Sequence, residues 1–343
     1  LSIKLLDDQI NEKQKHTQQL KESISTVNDE IFHLGEVMAL LKQSKSHKIE
    51  LRKTFILDII NKAISDIVHD KEIKVDIVSS EGTGAKYNIV YDFVIFKNGI
   101  EIARNNNVFD TTGGGVISII SFILKIMMGY INTGNKFYIF DESFSQLSVN
   151  YLSALSMFLR KLCEDYGFTL LMITHNELYE YAHVHYDLNV DESDRLKIMN
   201  TNIKESETFN IKNNFYRLQA KYFQSIKNIQ IDIKGLTVLT GPSDIGKSAI
   251  MRSINSIILN DFKATYESNF RKRGKYTEII LSKHIDEDNF DFIKMKYKQG
   301  TVYYYLQDGT EYKGKSLAND KIVELLETFG FKRVDTSIYK NWS

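Results

Sequence analysis

Disulfide chemistry is the first thing this chain cannot do. Cys163 is the only cysteine among 343 residues. A lone thiol closes no intrachain disulfide and supplies no thiolate zinc set. Within LRKLCEDYGF, a helix-like stretch, it reads as a small buried hydrophobe. Proline is as scarce: the single one, Pro242, falls inside the most informative motif of the chain. No run of 18 apolar residues occurs. VISIISFILKIMMGY is interrupted by Lys125 and is too short for a bilayer span, and the first residues carry no signal-peptide pattern. The expectation is a cytoplasmic protein with no membrane partner. An excess of one charge sign is missing too, with 44 Lys and Arg against 44 Asp and Glu. Bulk charge therefore does not mark a nucleic-acid binder, although a local basic face stays open. What remains is a 43% hydrophobic chain, enough for one large domain or two smaller ones.

The first 41 residues alternate apolar positions in a 3-4-3-4 spacing. Ile3, Leu6, Ile10, Leu20, Ile24, Val27, Ile31, Leu34, Met38 and Leu41 fall on it, and Lys13 and Thr17 interrupt it. This is a coiled-coil seam, about 60 Å long as a helix. A second helix is predicted over residues 48–70. Strands follow at 73–78 and 87–96, with Asn98-Gly99 turning the second back into IEIA. A long apolar helix is expected at 116–130 and buried strands at 136–141 and 168–174. Between those strands a helix over 149–166 stops at Gly167. Continuously apolar strands joined by a helix predict a parallel sheet covered by helices. HVHYDLNV and RLKIM read as two further edge strands.

Residues 201–214 are polar and asparagine-rich and mark a junction. Beyond it YRLQAKYFQSIKNIQIDI reads as two strands around a turn at Lys227-Asn228. LTVLT at 236–240 is a short buried strand, followed by a helix at 247–259. Strands are expected near 276–284, 290–297 and 302–307, a hairpin turn at Asp308-Gly309, and a helix at 317–328. The domain reading is a coiled-coil helix over 1–47, one α/β lobe over 48–205 and a second over 206–343.

Three motifs carry chemistry. Gly241-Pro242-Ser243-Asp244-Ile245-Gly246-Lys247-Ser248 fits GxxxxGK[ST], lies between a strand and a helix, and runs on into Ala249. Glycines let backbone N–H groups curl around a phosphate, and the helix N-terminus adds its dipole. Lys247 would reach the β- and γ-phosphates, and the Ser248 hydroxyl would ligate Mg²⁺. Phe137-Tyr138-Ile139-Phe140-Asp141-Glu142 is an apolar strand ending in two carboxylates. Asp141 would hold Mg²⁺ and Glu142 would polarise the attacking water. Ile173-Thr174-His175-Asn176 ends a second buried strand, where His175 is placed to touch a γ-phosphate, because open α/β sheets bind ligands at the carboxyl ends of their strands.

With the coil, these motifs resemble the ABC-type ATPase heads of the SMC, RecN, RecF and SbcC group, and are most similar to SbcC-like exonuclease-subunit ATPases. The resemblance covers nearly the whole chain. FYRLQAKYFQSIKNIQIDIKGLTVLTGPSDIGKSAIMRSI is similar to the opening of such a head, FDESFSQLS to Walker B running into the D-loop, and MITHN to the H-loop. GGGVISIISFILKI is similar to the signature motif and its helix. The resemblance implies an α/β P-loop NTPase fold of ABC type with mixed sheets and a coiled-coil segment. It implies ATP and Mg²⁺ as cofactors, with Glu142, His175 and Lys247 as catalytic residues. Thr112, Gly113, Gly114 and Gly115 would contact the nucleotide of an opposed head. It further implies a homodimer of ATP-bound heads, DNA as a partner, and a nuclease subunit. A structural or defence-system ATPase of the same fold without a nuclease is the second reading.

The chain departs from the family in three places. The signature stretch Thr111-Thr112-Gly113-Gly114-Gly115-Val116 lacks the acidic or amide residue. Ser148 stands where the D-loop has aspartate. No glutamine occupies VDTSIYKNWS, where a Q-loop is expected; Gln307 is nearest and sits beside a turn. The lobe order is also permuted, signature lobe before P-loop lobe. A natural permutation, an engineered fusion and a joining of two fragments each give that order. FRKRGKY at 270–276, with Lys294, Lys296 and Lys298, is the best basic cluster.

Overall fold

The structure, a computed structural model, describes residues 2–68, 72–81, 89–105, 114–144, 147–175, 180–190, 196–203, 215–259, 262–268, 276–285, 288–298, 300–313 and 319–331. It divides into two compact units, Leu1–Ile56 and Leu57–Ser343. Helix α1, Ser2–Ala63, passes through that boundary and ends in a π-helical turn, Ile64–Val68. The separate helices predicted on either side of residue 48 are therefore one. KQSKSHKIE holds no proline, glycine or capping pattern that would stop a helix there. Within the first unit the seam residues from Leu20 to Leu41 are all exposed, Ile31 at 61%.

In the second unit the end of α1 is core. Ile59, Ile60 and Ala63 are buried, and the Asn61 carboxamide brackets a backbone position on the neighbouring sheet. Its Nδ2 donates to the Val75 carbonyl (3.0 Å), and its Oδ1 accepts the Val75 N–H (2.7 Å). That sheet is an antiparallel meander of β1, Ile73–Glu81, β2, Ile89–Lys97, and β3, Ile100–Arg104. Asn98 and Gly99 turn it with φ of 54° and 78°, the left-handed pair a two-residue hairpin needs.

The central sheet has five strands. In chain order they are β4, Phe137–Asp141, β5, Thr169–Ile173, β6, Val184–Val190, β7, Leu196–Ile203, and β10, Leu236–Thr240. In space the order is β4-β5-β10-β6-β7. The first four run parallel and β7 antiparallel. A strand from beyond the 201–214 junction thus lies between two strands from before it. The expectation of a parallel sheet holds, but β6 is interior rather than an edge.

Helix α2, Gly114–Thr133, packs on β4. The Phe122 ring lies 4.3 Å from Phe140, and the Tyr138 hydroxyl donates to the Ile126 carbonyl (2.9 Å). At 20 residues α2 is longer than the 116–130 stretch predicted. By length and composition alone it would suffice to cross a bilayer; Ile119, Ile120, Ile123, Ile126 and Met127 on it are buried. Helix α3, Val149–Tyr166, ends as predicted at Gly167, φ 68°, whose N–H donates to the Cys163 carbonyl.

The third sheet is antiparallel. It comprises β8, Phe215–Phe223, β9, Ile226–Ile233, β11, Thr277–His284, β12, Phe290–Lys298, β13, Thr301–Leu306, and β14, Glu311–Lys313. Its order is β14-β13-β12-β11-β8-β9. Residues 224 and 225, not 227 and 228, make the β8–β9 turn. Phe223 pairs with Ile226, both are fully buried, and Gln224 takes the positive φ of 45°. Burying both apolar residues outweighs the turn preference of asparagine. Helix α4, Lys247–Ile258, and helix α5, Asn319–Thr328, complete the fold. One core joins the five- and six-stranded sheets, with Leu171, Leu239, Ile250, Leu218, Ile293 and Leu326 among its members. The Tyr186 hydroxyl fastens the two sheets. It accepts the Asp232 N–H (2.8 Å) and donates to the Asp232 carbonyl (3.0 Å).

Candidate functional site

Parallel strands end on the same side. Here β4, β5 and β10 deliver Asp141-Glu142, Thr174-His175 and Gly241 to one edge of the central sheet. The loop from Gly241 to Gly246 then turns into α4. Its backbone requires glycine twice. Gly241 has φ 141°, and a Cβ there would stand 2.4 Å from the Leu188 carbonyl oxygen. Gly246 has φ 106°, and a Cβ there would stand 2.1 Å from Ser225 Oγ. Asp244 also takes a positive φ, 61°. Gly246 caps α4, so the first N–H groups of that helix have no intrahelical acceptor.

A cavity of about 440 Å³ opens at this edge, lined by residues of all three strand ends and of α4. Lys247 lies at its floor, almost fully buried. Its ammonium donates to the carbonyls of Gly241 (2.7 Å) and Pro242 (2.8 Å). Burial holds its pKa below the usual lysine value, against the opposing pull of Glu142, Asp141 and Asp244. Lys247 Nζ also lies 3.3 Å from Nδ1 and 3.2 Å from Nε2 of His175. His175 Nε2 lies 3.2 Å from Glu142 Oε1. With its proton on Nε2, the imidazole donates to Glu142 and accepts from Lys247 at Nδ1, which satisfies both neighbours. Ser243 Oγ is 3.5 Å from the same ring. Ser248 Oγ donates to Asp141 Oδ2 at 3.2 Å. Glu142 itself has φ 51°, with its N–H held by the Ile173 carbonyl (2.9 Å). Strained non-glycine backbone of this kind concentrates at functional sites.

The cavity therefore brings together Asp141, Glu142, His175, Ser243, Asp244, Gly246, Lys247, Ser248 and Ala249. Pro242 contributes its carbonyl to Lys247, and the Ile245 side chain is buried in the core. The glycine-rich stretch lies elsewhere. Gly114 and Gly115 open α2 and do not line this cavity. Thr112 and Gly113 fall outside the described residues. Ser148 is the residue before α3, without a side-chain cap bond.

Three lining residues were not anticipated: Gln224 and Ser225 at the β8–β9 turn, and Arg252 on α4. Gln224 and Ser225 contribute because the turn resides at 224–225, three residues before the position the sequence pattern gives it.

No cluster of three or more His, Cys, Asp and Glu side chains set to hold a metal occurs among the described residues. One carboxylate and one hydroxyl, Asp141 and Ser248, fit a different kind of cation site. Mg²⁺ keeps several waters and takes few protein ligands, the remainder coming from substrate phosphates.

No protein-family description matches the chain, and no curated protein matches it. A solved structure described as concerning ATP-driven dimerization and DNA stimulated activation of SMC ATPases bears a partial resemblance. It covers 45% of this chain and 85% of its own, at 10% identity and a TM-score of 0.32.

Proposed function

We propose that the chain binds ATP with Mg²⁺ in this cavity and hydrolyses it. The carrying observation is convergence: three segments distant in sequence deliver Lys247, Ser248, Asp141, Glu142 and His175 to one pocket at the carboxyl end of a parallel sheet. Backbone N–H groups at the start of α4 cradle the β-phosphate. Lys247 exchanges its two loop carbonyls for phosphate oxygens. Ser248 and Asp141 would hold Mg²⁺, which would supply positive charge to neutralise the phosphates. Glu142 takes a proton from a water in line with the γ-phosphoryl group, and His175 orients between that carboxylate and the γ-phosphate. The water oxygen bonds to phosphorus as the bond to the ADP oxygen breaks, giving ADP and phosphate.

The finer reading rests on the sequence motifs. Two such heads would pair around ATP, with Thr112 to Gly115 of one meeting the cavity of the other. The pair would act on DNA, with a nuclease subunit under its control. An adjacent nuclease gene, against its absence, separates that reading from a structural or defence-system ATPase.

Calorimetric titration of the full chain with ATP and Mg²⁺ tests the core of the proposal. Native protein should bind with a Kd in the micromolar range, about −8 kcal/mol. Lys247→Ala should weaken binding at least tenfold and abolish turnover. Binding unaltered by Lys247→Ala would refute the site.

A further inference from the structure

The proposed phosphate chemistry uses Glu142, His175, Lys247, Ser248 and Asp141, which contact one another. Gln224 and Arg252, which contact each other, line the same cavity and have no part in that chemistry. Resting on the reading of the site given above, we infer that Arg252 is the cation for the α-phosphate and ribose of the bound nucleotide, and that Gln224 positions it.

Helix geometry places Arg252 for this. It follows Ser248 by four residues, so both lie on one face of α4, about 6 Å apart along the axis. A nucleotide with its terminal phosphates at the α4 N-terminus and its nucleoside directed along the lining therefore passes Arg252. The charge balance of the lining gives the residue its weight. Among the described residues of the lining, Asp141, Glu142 and Asp244 bring three carboxylates, against which stand the cations Lys247 and Arg252. Lys247 is committed to the terminal phosphates, which leaves Arg252 as the second cation facing a polyanionic ligand. A guanidinium presents a planar fork of donors that matches a phosphate edge and a ribose hydroxyl together, as an ammonium does not.

Gln224 is fixed before any ligand arrives. Its φ is 45° and its N–H donates to the Tyr266 carbonyl (2.8 Å). The hairpin tip abuts the glycine-rich loop, since Ser225 Oγ stands 2.1 Å from where a Gly246 Cβ would be. From this anchored tip Gln224 Oε1 accepts from Arg252 Nη1 at 3.4 Å. The exposed Arg252 is thereby tethered at the cavity lining, and part of the entropy of ordering its long side chain is spent before binding.

Calorimetric titration of the full chain with ATP, ADP and inorganic pyrophosphate, all with Mg²⁺, provides the test. Arg252→Ala should weaken ATP and ADP about tenfold and pyrophosphate less than twofold, whereas Lys247→Ala should weaken all three. Gln224→Ala should weaken ATP a few-fold in the native background and add nothing to Arg252→Ala, because its effect runs through the arginine. Unchanged melting temperatures identify variants that remain folded. Native affinity for ATP and ADP in Arg252→Ala would overturn this inference and leave the phosphate site standing. Equal losses on pyrophosphate would also overturn it, by assigning Arg252 to the terminal phosphates. Failure of the native chain to bind ATP would instead sink the nucleotide reading and this inference with it.

Discussion

His183 should make the second unit acid-sensitive between pH 6.5 and about 4. It immediately precedes β6 and is wholly buried. Its Nδ1 accepts the Leu236 N–H (2.9 Å), and its Nε2 faces Glu164 Oε1 at 3.2 Å. Burial, aided by the nearby Arg160 charge, lowers its pKa from 6.5 to about 4, and the Glu164 contact offsets only part of this. The folded chain therefore keeps the ring neutral at a pH where the unfolded chain has protonated it. Between those two values the unfolded state binds more protons, so stability is retained above pH 6.5 and falls as pH drops toward 4. A difference of that size corresponds to about 3 kcal/mol, a large share of the 5–15 kcal/mol that typically holds a domain together (about that range). The assay is urea unfolding at pH 7.5 and pH 4.5 for native protein and His183→Gln. Glutamine can still accept the Leu236 N–H but does not titrate. The variant should start lower at pH 7.5 and lose about 2.5 kcal/mol less on acidification to pH 4.5, which covers most of the interval between the two pKa values. An identical pH dependence in the two proteins would refute the argument, as would an imidazole NMR titration of His183 with a midpoint near 6.5.

Other expectations concern the site and the coil. Glu142→Gln should bind ATP with near-native affinity yet turn it over at least about 10²-fold more slowly, because an amide cannot accept the water proton; rapid phosphate release by that variant would remove Glu142 from the role of base. In light scattering, the same variant with ATP and Mg²⁺ should shift toward a dimer, and a strict monomer at tens of micromolar with ATP bound would count against paired heads. Gly246→Ala meets both Ser225 Oγ and an unfavourable positive φ, so it should lower stability by about 1–3 kcal/mol and weaken ATP more than tenfold, with retention of native affinity contradicting the loop geometry. A peptide of residues 1–41 should be helical only at concentrations where it associates, since its seam is exposed from Leu20 to Leu41; concentration-independent helicity by circular dichroism would argue otherwise.

The parts of the fold legible in sequence are those fixed by local pattern. Phe137 to Phe140 and Leu170 to Ile173 are continuously apolar, and both became parallel strands. Gly167 announced the end of α3, and Asn98-Gly99 its hairpin. Misreadings arose where a distant partner sets the outcome. HVHYDLNV read as an edge strand, yet it is interior: His183 is satisfied by Leu236 and His185 Nε2 by Thr240 Oγ1 at 2.7 Å. Both partners arrive some fifty residues later, at the two ends of β10. The site divides along the same line. Residues of the glycine-rich loop, the carboxylate pair and His175 were legible because each sits at the end of an apolar strand. Gln224 and Arg252 were not, because nothing local to either announces that a hairpin tip and the second turn of a helix share one cavity.

The interleaving of β10 between β5 and β6 makes the chain behave as a lock with two keys. Residues 137–203 supply Asp141, Glu142 and His175 but leave a slot in their own sheet. Residues 215–331 supply Lys247 and Ser248 at the start of α4, just after β10, a strand whose parallel neighbours β5 and β6 both come from the earlier portion. Each portion holds only part of the five-stranded sheet and part of the cavity lining. Completion of the five-stranded sheet and completion of the cavity lining thus depend on the same docking, and either portion alone presents only some of the lining side chains.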